Sequence, residues 1–191
     1  MAAPWDESEI DRRLSAAVAN ACEMPLAQAQ PPASPSAYLL YYRGELALYE
    51  PIVSSRAPIY VGGAKNMRRR LGEHRSSIRA TKPLNVAGFA IRLVETPTHD
   101  AAMYAESRLI TYYRPVWNLE EFAGFGSKHQ GLARIAAQEP SPWDTLHPGR
   151  SWARPPDRRT RLLLLNAVES EVRRNTREFG RERETAPGTQ R

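Results

Sequence analysis

Glu106 stands where a helix built only for packing has no use for a carboxylate. The run from Thr98 to Arg114 has a helical period, with Thr98 as candidate N-cap and Pro115 just past its end. Around Glu106, the positions one and two turns away hold Ala102, Met103, Leu109, Ile110 and Tyr113. The glutamate therefore falls inside the apolar stripe. A carboxylate there must be protonated, paired with a cation or bound to a metal ion. A buried pair with an arginine accounts for it as well as a functional role does.

Four other residues invite the same question. Arg70 and His74 are four apart on a second helical segment and share one face. Tyr38 and Tyr60 fall in separate strand-like runs and can point to one face of a sheet. Taken singly, each has an ordinary explanation: a solvated basic face, a structural histidine, half-buried tyrosines packing in strands. Together they hold what phosphodiester hydrolysis needs. That reaction requires a water that is oriented and deprotonated, positive charge around the transition state, and stabilisation of the leaving oxygen. A guanidinium, an imidazole, phenols and a carboxylate with a divalent metal supply these functions. Magnesium needs only one or two carboxylates and keeps several waters, so a single glutamate suffices.

The elements that must carry these residues follow from periodicity. Residues 7–22 read as an amphipathic helix with Ile10, Leu14, Val18 and Cys22 in line. The stretch PLAQAQPPASPS reads as a linker that helix or strand does not cross. AYLLYY is a strand, ELALYEPI is expected to answer it as a hairpin, and APIYVGG is a third strand. KNMRRRLGEHRSSI turns helical, with Met67, Leu71, His74 and Ile78 on one stripe. NVAGFAIRLVE is a strand, residues 117–152 are mostly loop, and 157–179 form a last helix. The order β-β-β-α-β-α predicts an α+β fold: a small, mostly antiparallel sheet flanked by helices, with helical extensions at both ends. The division expected is 1–35 for the N-terminal helix and linker, 36–155 for the main domain with its loops, and 156–191 for a C-terminal helix and a disordered tail.

Composition narrows the class. The chain has 191 residues, a net charge of +6 and a pI near 9.8. This suits a polyanionic partner, and an Arg- and Pro-rich chain from a GC-rich genome would look the same. Only Lys65, Lys82 and Lys128 of the 27 basic residues are lysines; arginine favours bidentate contacts to phosphate and guanine. No run is long and apolar enough for a membrane span, and the N-terminus lacks the pattern of a signal peptide. The lone Cys22 forms no internal disulfide and no metal cluster. A cytoplasmic location is expected.

The joint pattern resembles the GIY-YIG nuclease superfamily over roughly residues 36–120. The two signatures stand here as Ser36-Ala37-Tyr38 and Tyr60-Val61-Gly62. Arg70 follows Tyr60 by ten residues, His74 comes one turn later, Glu106 lies on the next long helix, and Asn118 follows in RPVWN. A narrower similarity, carried by AYLLYYRGELALYEP, PIYVG, RPVWN, GFG and WDTLHPGRSWA, runs to about Ala153. It resembles the branch of type II restriction endonucleases that cut CCGCGG as homodimers. The chain departs from that branch in having Ser36 for the first signature's glycine and Gly63 where relatives carry lysine. It also has a minimal connection before the arginine helix.

The resemblance implies a restriction endonuclease acting on double-stranded DNA, with Tyr38, Tyr60, Arg70, His74, Glu106 and Asn118 as the catalytic set. Glu106 is expected to bind one Mg²⁺, with Mn²⁺ a possible substitute. Arg70 is expected to hold the phosphate, and Tyr38 to orient and deprotonate the water. That role requires a phenol pKa below its ordinary value near 10. His74 is the relay, Tyr60 bonds the phosphate or the metal's water, and Asn118 ties its loop to the Glu106 helix. Lys65, Arg68 and Arg69 are placed near the DNA backbone. Lys128, His129, Arg134, Arg150 and Arg154 are candidates for base contacts. A companion methyltransferase is expected in the host. The alternatives are a repair or homing nuclease of the same fold, a noncatalytic DNA-binding protein, and a basic α+β adaptor.

Overall fold

The computed structural model describes residues 7–126 and 136–180. Four antiparallel strands form its sheet: β1 (Met24–Pro25), β2 (Ser36–Tyr42), β3 (Tyr60–Ala64) and β4 (Phe89–Glu95), in the spatial order β1-β4-β2-β3. Every residue of β2 is buried because helices cover both faces of the sheet. Ala37, Leu39 and Tyr41 meet Val18 of α1 (Glu7–Asn20) and Ala105 and Leu109 of α4 (His99–Tyr113). Tyr38, Leu40 and Tyr42 face the larger core, where Met67, Leu71 and Ile78 of α3 (Met67–Arg79) pack. The run SAYLLYY is apolar on both faces for that reason.

The two helices that matter most have clear caps. Asn66 accepts from the Arg69 N–H, and Thr98 accepts from the Ala101 N–H. Met67, Leu71, His74 and Ile78 are the buried stripe of α3. Arg114 closes α4 in the left-handed conformation, φ 44°. The buried Asn175 of the C-terminal helix donates to the carbonyls of Tyr113 and Arg114 there, at 2.9 and 3.0 Å. That helix, called α6 here (Arg158–Gly180), buries Val168, Val172, Asn175 and Phe179. The short α5 spans Pro142–Leu146. Among the described residues no helix is long and apolar enough to cross a membrane.

Two expectations need correction. The partner of β2 is β3 and not the ELALYEPI segment, which forms a 3-10 turn (Ala47–Tyr49) running into α2 (Glu50–Val53). Tyr49 and Ile52, three apart, are the residues it buries, so a helical spacing prevailed over the apparent alternation. The proline-rich stretch is no free linker. Its first residue, Pro25, completes β1, Leu26 and Ala29 are buried, and Arg75 of α3 donates to both of their carbonyls. Within 117–152 the described residues are mostly loop, as expected, broken by short 3-10 turns and α5. The tail from 181 onward lies outside the described residues.

Candidate active site

β3 is an edge strand, and the site is built around that edge. Its register sets Tyr60 opposite Leu40 and Gly62 opposite Tyr38, so the two tyrosines share the face that α3 covers. Gly62 makes the arrangement possible: a Cβ there would lie 2.3 Å from the Tyr38 hydroxyl oxygen. Only a residue without a side chain leaves that oxygen its place.

The Tyr38 hydroxyl has two partners from α3. It sits 2.5 Å from Nε2 of His74, and Nε of Arg70 donates to it at 3.2 Å. The tyrosine is fully enclosed, as is His74. Tyr60 is nearly so, yet its ring lines an open cleft of about 370 Å³, shared with Gly63, Arg70, Glu106, Asn118 and Gly126. The Tyr60 hydroxyl lies within hydrogen-bonding reach of Tyr38 and Arg70. Phe125 stacks flat on His74, centroids 4.6 Å apart, and meets Tyr60 edge-on. Arg70 also reaches Glu73 at 3.1 Å.

Glu106 arrives from the opposite face. Gly63 points toward α4, where a Cβ would come within 3.1 Å of a Glu106 carboxylate oxygen, the Ala102 carbonyl and the Met103 sulfur. With no side chain at 63, α4 packs on the strand backbone and the carboxylate reaches the rim. Glu106 is half-buried rather than enclosed. It is the one carboxylate lining the cleft among the described residues. Asn118 acts differently from expectation. Its amide accepts from the Val61 N–H at 2.8 Å and donates to the Val61 carbonyl at 2.9 Å. It ties its loop to β3, not to α4.

Burial sets the protonation states. It raises the Tyr38 phenol well above its ordinary value, with Tyr60 adding to the rise and Arg70 only partly opposing it. Tyr60 is raised for the same first reason, again against Arg70. The depressed Tyr38 pKa that the sequence reading required is therefore a correction: low dielectric outweighs the one neighbouring cation. His74 is pushed well below its usual range by burial, and further by Arg70 and Arg150. At neutral pH the site holds two neutral phenols, a neutral imidazole and a guanidinium.

The donor set fits a hard divalent ion and no transition-metal cage. Among the described residues no group of three or more His, Cys, Asp or Glu gathers around a point. One carboxylate facing an open cleft matches what magnesium or manganese takes when phosphate and water complete its shell.

The candidate DNA contacts divide. Lys65, Arg68 and Arg69 are exposed at the entry to α3, with Arg69 paired to Glu73 at 2.7 Å. Arg154 is exposed. Lys128, His129 and Arg134 lie outside the described residues. Arg150 is a correction: its side chain is 5% exposed and its guanidinium binds Asp144 and two backbone carbonyls. Base readout cannot use donors already spent inside. Phe125 and Glu73 were missed in the sequence. Glu73 was findable from its three- and four-residue spacing to the arginines, whereas nothing local marks Phe125 as a histidine's stacking partner.

The family model described as the Eco29kI GIY-YIG domain matches residues 33–175, some three quarters of the chain. No curated protein matches it.

Proposed function

The chain belongs to the Eco29kI GIY-YIG family of restriction-type nucleases, and we propose that it is a type II deoxyribonuclease cutting a GC-rich palindrome, CCGCGG. In this reading it works as a homodimer in the bacterial cytoplasm, with one Mg²⁺ per active site, beside a methyltransferase that protects the same sequence. The observation that carries the reading is the meeting of Tyr60, Arg70 and Glu106 on one cleft, with the Tyr38–His74 pair directly behind.

Glu106 would hold the ion, which when bound supplies a Lewis acid to the phosphate and its leaving oxygen. Arg70 faces the cleft with a guanidinium that stays charged despite burial, its donors held by the Tyr38 hydroxyl and the Glu73 carboxylate. It orients the scissile phosphate and offsets charge developing there. Tyr60, the phenol on the cleft wall, meets the attacking water and accepts its proton while giving up its own. Tyr38 passes a proton on in the same way, and the neutral Nε2 of His74 receives it. No phenolate need exist beforehand, so the raised phenol pKa values are compatible with the relay. Tyr60 and not Tyr38 takes the water-facing role in this reading, because the Tyr38 hydroxyl is enclosed. Lys65, Arg68, Arg69 and Arg154 would contribute phosphate contacts that weaken with salt.

The test is plasmid DNA carrying CCGCGG, incubated with Mg²⁺, Mn²⁺ or EDTA beside Glu106→Ala. Discrete, metal-dependent fragments mapping to that site are expected from the wild type. Glu106→Ala should bind DNA and leave it intact, and wild-type cleavage by that variant would overturn the scheme. Tight binding without cutting of any plasmid by the wild type would point instead to a noncatalytic DNA-binding protein.

A further inference from the structure

Arg150 is a buried arginine that the sequence alone would assign to DNA. Its side chain and that of Asp144 are 5% and 1% exposed, and the two form an ion pair at 3.3 Å. The guanidinium lies over the Trp143 ring, 4.5 Å from its centroid. Asp144 is fixed in turn by the Ser141 hydroxyl at 2.6 Å, within the capping box that starts α5. An arginine is a costly thing to enclose unless its fork is fully used.

Its remaining donors point to the segment that roofs the active site. Nη1 donates to the Gly124 carbonyl at 3.0 Å, and Nη2 reaches the Phe125 carbonyl at 3.5 Å. Phe125 is the residue whose ring lies parallel to His74, 8° apart in plane, and edge-on to Tyr60. Gly126 follows directly. A Cβ on it would lie 2.6 Å from the Tyr60 hydroxyl oxygen and 3.5 Å from an Arg70 nitrogen. One residue thus separates the Arg150 fork from three members of the reacting set.

We infer that Arg150 is a positioning residue for cleavage: from Asp144 it holds the Gly124–Gly126 segment so that Phe125 clamps the His74 ring against Tyr38 and Tyr60. The inference deepens the nuclease reading and rests on it for its catalytic consequence, while the clamp itself is a claim about the free protein. A cation is suited to this post because one planar group serves two successive carbonyls and a carboxylate at once. A neutral side chain would leave the Asp144 carboxylate enclosed without its counter-ion. The arrangement also explains why Arg150, outside the cleft lining, belongs to the same structural unit as the roof.

The test uses the full chain with Arg150→Lys, Arg150→Met and the double variant Asp144→Asn/Arg150→Met, the last removing the carboxylate that Arg150→Met would strand. The first readout is the proton NMR shift of the His74 ring, taken without DNA or metal. A parallel phenyl ring 4.6 Å away shifts those protons upfield. The second is the single-turnover rate at saturating DNA, and the third is DNA affinity over a range of salt.

If Arg150 sets the clamp, the folded variants lose the upfield shift, cut at least tenfold more slowly at saturation, and bind DNA within twofold of wild type with an unchanged salt slope. Arg150→Lys, which keeps the charge beside Asp144 but not the fork, should move the same way. Retention of the His74 shift in the folded double variant overturns the inference. So does weaker binding with a salt slope reduced by about 0.9, the mark of a lost phosphate contact. Should the wild type cut no DNA, the nuclease reading fails while the ring shift still decides the clamp.

Discussion

Among the described residues are two enclosed tyrosine–histidine pairs, and only one of them has the surroundings of a reacting centre. Tyr38 lies 2.5 Å from Nε2 of His74; Tyr49 lies 2.7 Å from Nε2 of His147. All four residues are buried. Both imidazoles are held neutral by burial and nearby arginines, His147 at about 3. Both phenols are raised by the same enclosure. The third partner separates them. Arg70, a cation that lines a cleft, donates to Tyr38. The Trp117 indole donates to Tyr49 at 2.9 Å, within a nest of Tyr42, Trp117 and His147 rings. A tyrosine beside a histidine is thus a packing solution that becomes chemistry only where a mobile substrate, a cation and a carboxylate can reach it.

Removing one hydroxyl from each pair tests that contrast most strongly. Tyr38→Phe breaks the relay and should slow single-turnover cleavage by about 10²–10⁴-fold, the usual worth of a proton-transfer group, with DNA affinity retained. Tyr49→Phe should leave the rate within a few-fold. It strands the Trp117 N–H, and denaturant unfolding should show a loss of about 1–3 kcal/mol. Equal catalytic losses in the two variants would erase the distinction.

Acid should treat the pairs alike. Each histidine has a folded pKa below the unfolded value near 6.5. The unfolded chain therefore binds the proton first, and stability is full above that value and lost as pH falls beneath it. Each contributes a slope of about 1.4 kcal/mol per pH unit. Urea unfolding between pH 7 and 5.5 should show it, and His147→Gln should remove about half. An unchanged slope would mean that His147 is not held neutral.

The smallest effect concerns Arg70, the partner that distinguishes the first pair. Glu73 shares it with whatever enters the cleft, and binds Arg69 as well. Since Glu73 is partly exposed, its hold is weak. Glu73→Gln should tighten DNA binding at low salt by about twofold to fivefold. Weaker binding would show that Glu73 presents Arg70 rather than competing for it.

The sequence was informative where one helix face decides the matter. The stripe Met67, Leu71, His74, Ile78 and the Thr98 cap were readable because period and capping are local. The convergence of Tyr60, Arg70 and Glu106 followed from family resemblance, since the elements carrying them meet only around a sheet edge. Asn118 and Arg150 were misjudged for a common reason. Each spends its polar atoms on backbone carbonyls or amides far away in the chain, and a sequence does not display those partners. The ELALYEPI segment misled because Leu46, Leu48 and the residues after them mimic a two-residue alternation, while packing buries Tyr49 and Ile52 instead.

The bond between Asn118 and β3 has a consequence for how the molecule behaves in company. An edge strand with bare peptide groups is a template on which other chains can pair and grow. Here the Trp117 N–H donates to the Ile59 carbonyl at 2.9 Å, and the Asn118 amide covers both groups of Val61. Two residues thereby do the work of a fifth strand too short to offer an edge of its own. The covering stops at Val61, two residues before Gly63, which lines the cleft. The stretch of β3 left uncovered is the one beside Glu106, too brief to serve as a template for another strand.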